Sequence, residues 1–262
     1  MASLKGRVAL VTGSTSGIGL AVAHRLAAEG AHLVLNGLAG AEEVDALCDA
    51  FEQRHADRPE FAPCDLRDYT QIEAMMTALN ARHGALDILV NNAGIQHVSP
   101  IGEFSPQIWQ DMLAVNLSAS FHTIRTALPA MRARGWGRII NMASISGLRG
   151  RAGKVGYNAT KHGLIGLTKS VALETAPTAI TCNAICPGWV HTPLVQKQID
   201  ALAARDGVDN DTATQRLIGL RQPSGRFVTV EQIADLAAFF CSPSASEVRG
   251  VAWAMDGGTT AQ

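Results

Sequence analysis

The chain has 262 residues, 47% hydrophobic and 17% charged, enough apolar content for one large α/β core. A formal net charge of −1 and an isoelectric point near 6.7 supply no basic footprint, so neither nucleic acid nor an anionic membrane is expected as a partner. The amino-terminal stretch MASLKGRVALVTGSTSG is too short in its apolar run for a signal peptide, and no apolar stretch approaches a bilayer span; a cytoplasmic location is the default expectation.

Short runs rich in Val, Ile and Leu alternate with stretches of helical periodicity, the pattern of repeated βαβ units around a parallel sheet. In chain order the pattern predicts strands over 7–12, 32–36, 60–65, 87–92, 138–144, 180–186 and 251–256. It predicts helices over 17–29, 41–55, 70–83, 105–134, 155–176 and 230–241. Ser105 followed by Pro106 marks a helix start, and Thr70 with Glu73 and Thr229 with Gln232 read as capping boxes. The polar, helix-prone segment 192–226 connects the sixth and seventh strands and ends in RQPSGR, in the position where substrate lids are built. There are no repeats, low-complexity tracts or linker-like composition shifts. The expectation is a single domain over 1–262, a doubly wound parallel sheet of about seven strands with helices on both faces.

Five cysteines, Cys48, Cys64, Cys182, Cys186 and Cys241, form no disulfide pattern and read as buried thiols. Cys182 and Cys186 are the close pair, but they sit in an apolar strand without clustered partner ligands, so a core role is expected and no metal set is read.

Gly13, Gly17 and Gly19 stand between the first strand and the first helix, spaced G-x-x-x-G-x-G. Glycines there permit a tight turn and let backbone N–H groups and the helix N-terminus approach a pyrophosphate, which predicts a dinucleotide site. The choice between dinucleotides is written at the end of the second strand, where an acid would bind a ribose 2′-OH and a cation a 2′-phosphate. Asn36, Gly37 and Leu38 offer no cation, and Ser16 in the glycine turn is uncharged, so NAD is expected although the usual acid is also missing.

Tyr157, one of two tyrosines, is followed four residues later by Lys161, which places both on one helix face. A free phenol has a pKa of about 10, and a nearby cation favours its ionised form, so the pair can act as a tuned proton-transfer group. By itself the spacing fits equally a packed tyrosine beside a solvated lysine.

TGSTSGIG, NNAG (91–94), Ser144, YNATK (157–161) and PG (187–188) together resemble, in order and spacing, the short-chain dehydrogenase/reductase family over essentially the whole chain. The resemblance implies a Rossmann-type fold and a homotetramer. It makes Ser144 a hydroxyl that polarises the substrate oxygen and Tyr157 the acid/base. Lys161 becomes the tuner of Tyr157 and a ribose ligand, and Asn116 the holder of a water in a proton relay to Lys161. The implied cofactor contacts are Gly13, Thr15, Ser16, Gly17, Ile18, Gly19, Asn36 and Gly37, with Asp65 and Leu66 beside the adenine and Asn92, Ala93 and Gly94 at the adjoining ribose. Tyr157, Lys161, Pro187, Gly188, Val190 and Thr192 complete the set, Thr192 on the nicotinamide side.

A narrower set, Gln96, Lys154, Trp189, Gln196 and Gln198, resembles the branch of that family that interconverts D-3-hydroxybutyrate and acetoacetate. There the residues matching Gln96, Lys154 and Gln198 bind the substrate carboxylate, and the one matching Trp189 covers its methyl end. Where that branch has a further carboxylate-binding histidine, this chain has Ser146, which donates a hydrogen bond but brings no charge. His97 and His191 lie near the expected site, with ordinary loop roles the simpler reading. Three other readings stay open: a member of the same family acting on another small hydroxy acid, a 3-oxoacyl thioester reductase, which needs NADPH and a basic docking face, and a nucleotide-binding sensor without turnover.

Overall fold

The structure is a computed structural model and describes residues 4–219 and 221–261. All seven expected strands form: β1 Val8–Val11, β2 His32–Leu35, β3 Glu60–Phe61, β4 Ile88–Asn91, β5 Gly137–Met142, β6 Ile180–Pro187 and β7 Ala252–Met255. They make one parallel sheet in the order β3-β2-β1-β4-β5-β6-β7. The order reverses between β1 and β4, and in open α/β sheets that reversal opens a crevice at the carboxyl ends of the strands.

The helices are α1 Gly17–Ala28, α2 Ala41–His55, α3 Tyr69–His83, α4 Pro106–Leu113, α5 Ala119–Arg134, α6 Val155–Thr175, α7 Pro193–Asp206, α8 Asn210–Gly219 and α9 Val230–Cys241. Both sheet faces are covered, so strand residues of either parity are buried. Ala9 and Val11 pack with Val22 and Leu26 of α1 and with Ile233, Ala237 and Phe240 of α9. Val8 and Leu10 face the opposite layer, with Ile72 and Met76 of α3, Ile124 and Met131 of α5 and Val171 of α6. This two-sided burial is why β1 reads as an unbroken apolar run rather than an alternating one.

Four local details depart from the sequence reading or refine it. Helix α3 is capped by Asp68, whose carboxylate accepts from the Thr70 backbone N–H at 2.9 Å. The charged acceptor two residues earlier displaces the expected Thr70 box, whereas the Thr229–Gln232 box forms reciprocally at 3.2 and 3.0 Å. Ser105 and Pro106 do open α4, although the serine side chain makes no capping bond. The single helix expected over 105–134 is interrupted by a π-helical turn, Ala114–Ser118, between α4 and α5. Finally, the 192–226 segment folds into α7 and α8, with Gly207 at φ 64° ending α7.

All five cysteines are free and buried, and burial pushes the Cys186 thiol up to about 11. Among the described residues no helix is long and apolar enough to cross a membrane.

Candidate active site

The glycine turn is held against the end of β4 too tightly to admit side chains. At Gly13, with φ 61°, a Cβ would lie 2.9 Å from Ala93 Cα. At Gly19 it would lie 2.3 Å from the Gly13 carbonyl oxygen and 2.5 Å from Asn92 Nδ2. That amide donates to the carbonyls of Thr12 and Gly13 at 2.9 and 3.0 Å, stitching β1 to β4 under the crevice. A cradle of backbone at the N-terminus of α1 is the donor set a pyrophosphate requires.

Behind the cradle, Asn36 is buried, accepting from the Gly13 N–H at 3.4 Å and donating to the Ala62 carbonyl at 2.9 Å. Gly37 lies where a Cβ would come within 2.6 Å of the Thr15 side chain. Both therefore shape the glycine turn, and Asn36 presents its side chain inward. Leu66 packs into the core against the α3 layer, and the Asp65 carboxylate is held by Arg67 at 2.6 Å, which keeps it below the usual carboxylate range.

Two cavities open at the carboxyl ends of the strands. One, of about 410 Å³, is lined by Ser16, Gly17, Ile18, Asn92, Gly94, Lys161, Pro187 and Thr192 among others, with Lys161 its sole cation among the described residues. The second, of about 470 Å³, is lined by Ser146, Lys154, Trp189 and Gln198, and also by Arg149, Arg151 and Arg221. They share Gln96, Ser144, Tyr157, Gly188 and Val190. Ser144 and Tyr157 thus stand at the junction, where one side chain can address contents of both.

Tyr157 is half-buried on α6, and Lys161 one turn on is 3% exposed. The lysine Nζ donates to the Met142 carbonyl at 2.7 Å and lies 5.6 Å from the Tyr157 ring centre. Burial lowers the ammonium to about 8. Burial also pushes the Tyr157 phenol above its ordinary value, with the Ser144 hydroxyl opposing that shift. The shared face is as expected, and on it burial raises the phenol while Ser144 opposes the rise. Desolvation disfavours the anion, and the Lys161 amine is aimed at the Met142 carbonyl.

Asn116 sits in the π-helical turn, buried, with Oδ1 accepting from the Ile95 N–H at 2.8 Å and Nδ2 donating to the Ile95 carbonyl at 2.9 Å. Its side chain ties the turn to the loop after β4. An asparagine in mid-helix was the sequence signal, and the extra residue of the π-turn is its structural counterpart.

On the other side, Lys154 Nζ donates to Gln96 Oε1 at 3.0 Å. Burial first, then Arg151 and Arg221, lower this ammonium to about 8. The Arg221, Arg151 and Lys154 cationic groups lie 4.5, 5.5 and 5.9 Å from the Trp189 ring centre. Trp189 is fixed from behind by Gln222, a buried amide that accepts from the Trp189 N–H at 2.9 Å. Gly188 must lack a side chain, because a Cβ would meet that amide oxygen at 2.7 Å. Ser146 lines this cavity, its N–H donating to Ser144 Oγ at 3.1 Å.

Gln196 is not among the residues lining either cavity. It pairs with His191 at 2.7 Å and donates to Asp200 at 2.8 Å, so α7 turns it outward. Thr192 spends its hydroxyl capping α7 at Val195 N, though it still borders the first cavity. His97 packs edge-on to Phe104 and His191 stacks on Phe227, and neither supplies the charge absent at Ser146. The residues that do are Arg151 and Arg221, with Gln222 behind them, and sequence reasoning missed all three. The available signal was the acid-free run RGRAGK and the arginine opening RQPSGR.

The family model for short chain dehydrogenases matches residues 7–203, and the chain belongs to that family. It is an NAD(P)-dependent oxidoreductase, and Tyr157 and Lys161 both line the first of the two cavities just described. Among its relatives, D-beta-hydroxybutyrate dehydrogenase of Cupriavidus necator is 49% identical, covering 99% of this chain and 100% of that protein. The Rhizobium meliloti protein of the same name is 46% identical over 98% of this chain and 99% of its own length. Among solved structures, L-sorbose reductase from Gluconobacter frateurii, complexed with NADPH and L-sorbose, superposes with a TM-score of 0.94 at 32% identity. That alignment covers 99% of this chain and 98% of the reductase.

Proposed function

We propose that this protein interconverts D-3-hydroxybutyrate and acetoacetate with NAD as the hydride carrier. The observation that carries the reading is the junction: Ser144 and Tyr157 border both a glycine-lined cavity and a second cavity whose charged lining is entirely cationic. A small carboxylate in the second cavity meets Lys154, Arg151 and Arg221, with Gln96 and Gln198 as amide donors. Trp189 walls off the end and limits chain length. The hydroxyl-bearing carbon is then directed at Ser144 and Tyr157.

The nicotinamide supplies hydride chemistry when bound. Tyr157 takes the alcohol proton during oxidation and returns it during reduction, while Ser144 donates a hydrogen bond to the substrate oxygen. Lys161, inside the first cavity, holds the ribose side and passes protons through a water held at the Asn116 turn. Thr192 and the Pro187–Gly188 corner close the nicotinamide side. NAD is favoured over NADP because the end of β2 offers Asn36 turned inward, Gly37 and an exposed Leu38, with no cation for a 2′-phosphate. The free-carboxylate pocket favours an acid over a carrier-bound thioester. A cytoplasmic homotetramer completes the reading.

Assays with NAD and NADP against each enantiomer of 3-hydroxybutyrate test it. Turnover of the D enantiomer with NAD is expected, and turnover confined to NADP or to uncharged alcohols overturns it.

A further inference from the structure

We propose that His32, Glu60 and His83 form a zinc site at the edge of the sheet opposite the active-site crevice. His32 opens β2, Glu60 opens β3 and His83 ends α3, so three elements bring one ligand atom each to within 4.8 Å of the others. These are the amino-terminal ends of the strands, and the site is separate from the nucleotide and substrate cavities.

The orientations point inward at a shared centre. His83 Nε2 is buried and lies 2.8 Å from Glu60 Oε1, yet it makes no hydrogen bond. With no hydrogen bond engaging it, the His83 Nε2 stays available to an ion beside Glu60 Oε1. His32 Nε2 lies 3.9 Å from the same oxygen. His32 Nδ1 is 2.9 Å from Asp57 Oδ2, and donating its N–H there leaves the Nε2 lone pair toward the cluster. This is the carboxylate–histidine–metal arrangement that fixes the tautomer of a zinc ligand. The other Glu60 oxygen is held by Arg82 at 2.6 Å, which leaves Oε1 as a single ligand atom.

Tetrahedral zinc, with metal–ligand distances of about 2.0–2.2 Å, separates its ligand atoms by about 3.3–3.5 Å. The observed 2.8 and 3.9 Å bracket that spacing, so binding requires only small side-chain movements. Nitrogen donors with one carboxylate suit zinc, and three protein ligands leave its fourth position to water. The side chains are 32%, 23% and 15% exposed, so an ion has an entry path. The five buried cysteines offer no competing site.

Chelator-treated full-length enzyme is titrated with zinc ions alone, by calorimetry and by thermal melting. One zinc per chain is expected, with a melting temperature that climbs with zinc concentration. His32→Ala and His83→Ala each abolish uptake. Asp57→Asn, which keeps all three ligands, weakens it about 10–100-fold. His55→Ala, in the separate His24–His55 pair at 3.0 Å, leaves it intact. No uptake by the unaltered chain, as expected of a plain ion-pair cluster, overturns the site. So does equal affinity in both ligand variants, or loss of uptake in His55→Ala alone.

Discussion

The two cavities that meet at Tyr157 are built in different ways. The first is a cradle of backbone and small residues, stitched to the sheet by Asn92 and Asn36 and carrying, among the described residues, one cation, Lys161. The second is furnished by long side chains, Arg149, Arg151, Lys154, Trp189 and Arg221, brought from the loops before α6, after β6 and after α8. Under the proposed function, groups common to all nucleotides meet main chain pinned in place. A particular acid, under the same proposed function, meets side chains that can be exchanged without disturbing the sheet.

The comparison breaks first at the residue common to both cavities. Tyr157→Phe should lower kcat by about 10²–10⁴-fold, while NADH fluorescence titration still shows binding. Near-normal turnover in that variant removes the mechanism.

Next comes the substrate side alone. Arg221→Gln deletes a charged donor and should raise KM for the acid about 10–100-fold, from about 1.5–3 kcal/mol for a hydrogen bond to a charged group. Cofactor affinity should stay unchanged. A matching change in cofactor binding would mean that the two cavities are not independent.

The cofactor side is tested by Gly13→Ala, which forces φ 61° on a residue with a Cβ and presses it against Ala93. The conformational strain alone is about 1–2 kcal/mol. Melting and NADH titration should show lower stability and at least about tenfold weaker cofactor binding.

The smallest effect expected is on pH dependence. Lys154 is lowered to about 8, so its positive charge is lost as pH rises through that value, sooner than for an ordinary lysine. KM for the acid should therefore climb above pH 8, and Lys154→Arg should flatten the climb. Lys161 titrates in the same range, but its signature belongs in kcat, and steady-state profiles separate the two.

How much of this was legible in the sequence follows the same division. All seven strands and the glycine turn were readable because two-sided burial and tight turns restrict residue type locally. Tyr157 and Lys161 were readable because helical spacing places them on one face. The Thr70 box failed because Asp68, a stronger acceptor, stood two residues earlier. Gln196 failed for a different reason: the rotation of α7 decides which of its residues face inward, and nothing in its own neighbourhood records that.

Order along the chain, then, determined the parallel α/β sheet, the nucleotide cradle and the tyrosine–lysine pair, since each rests on contacts between near neighbours. Folding in three dimensions decided the rest. Arg221 and Arg151 meet over Trp189, and Asn116 opens a helix into a π-turn. Burial raises the Tyr157 phenol above its ordinary value. Each of these depends on distances and desolvation between segments far apart in the chain, quantities that exist only once the sheet has assembled.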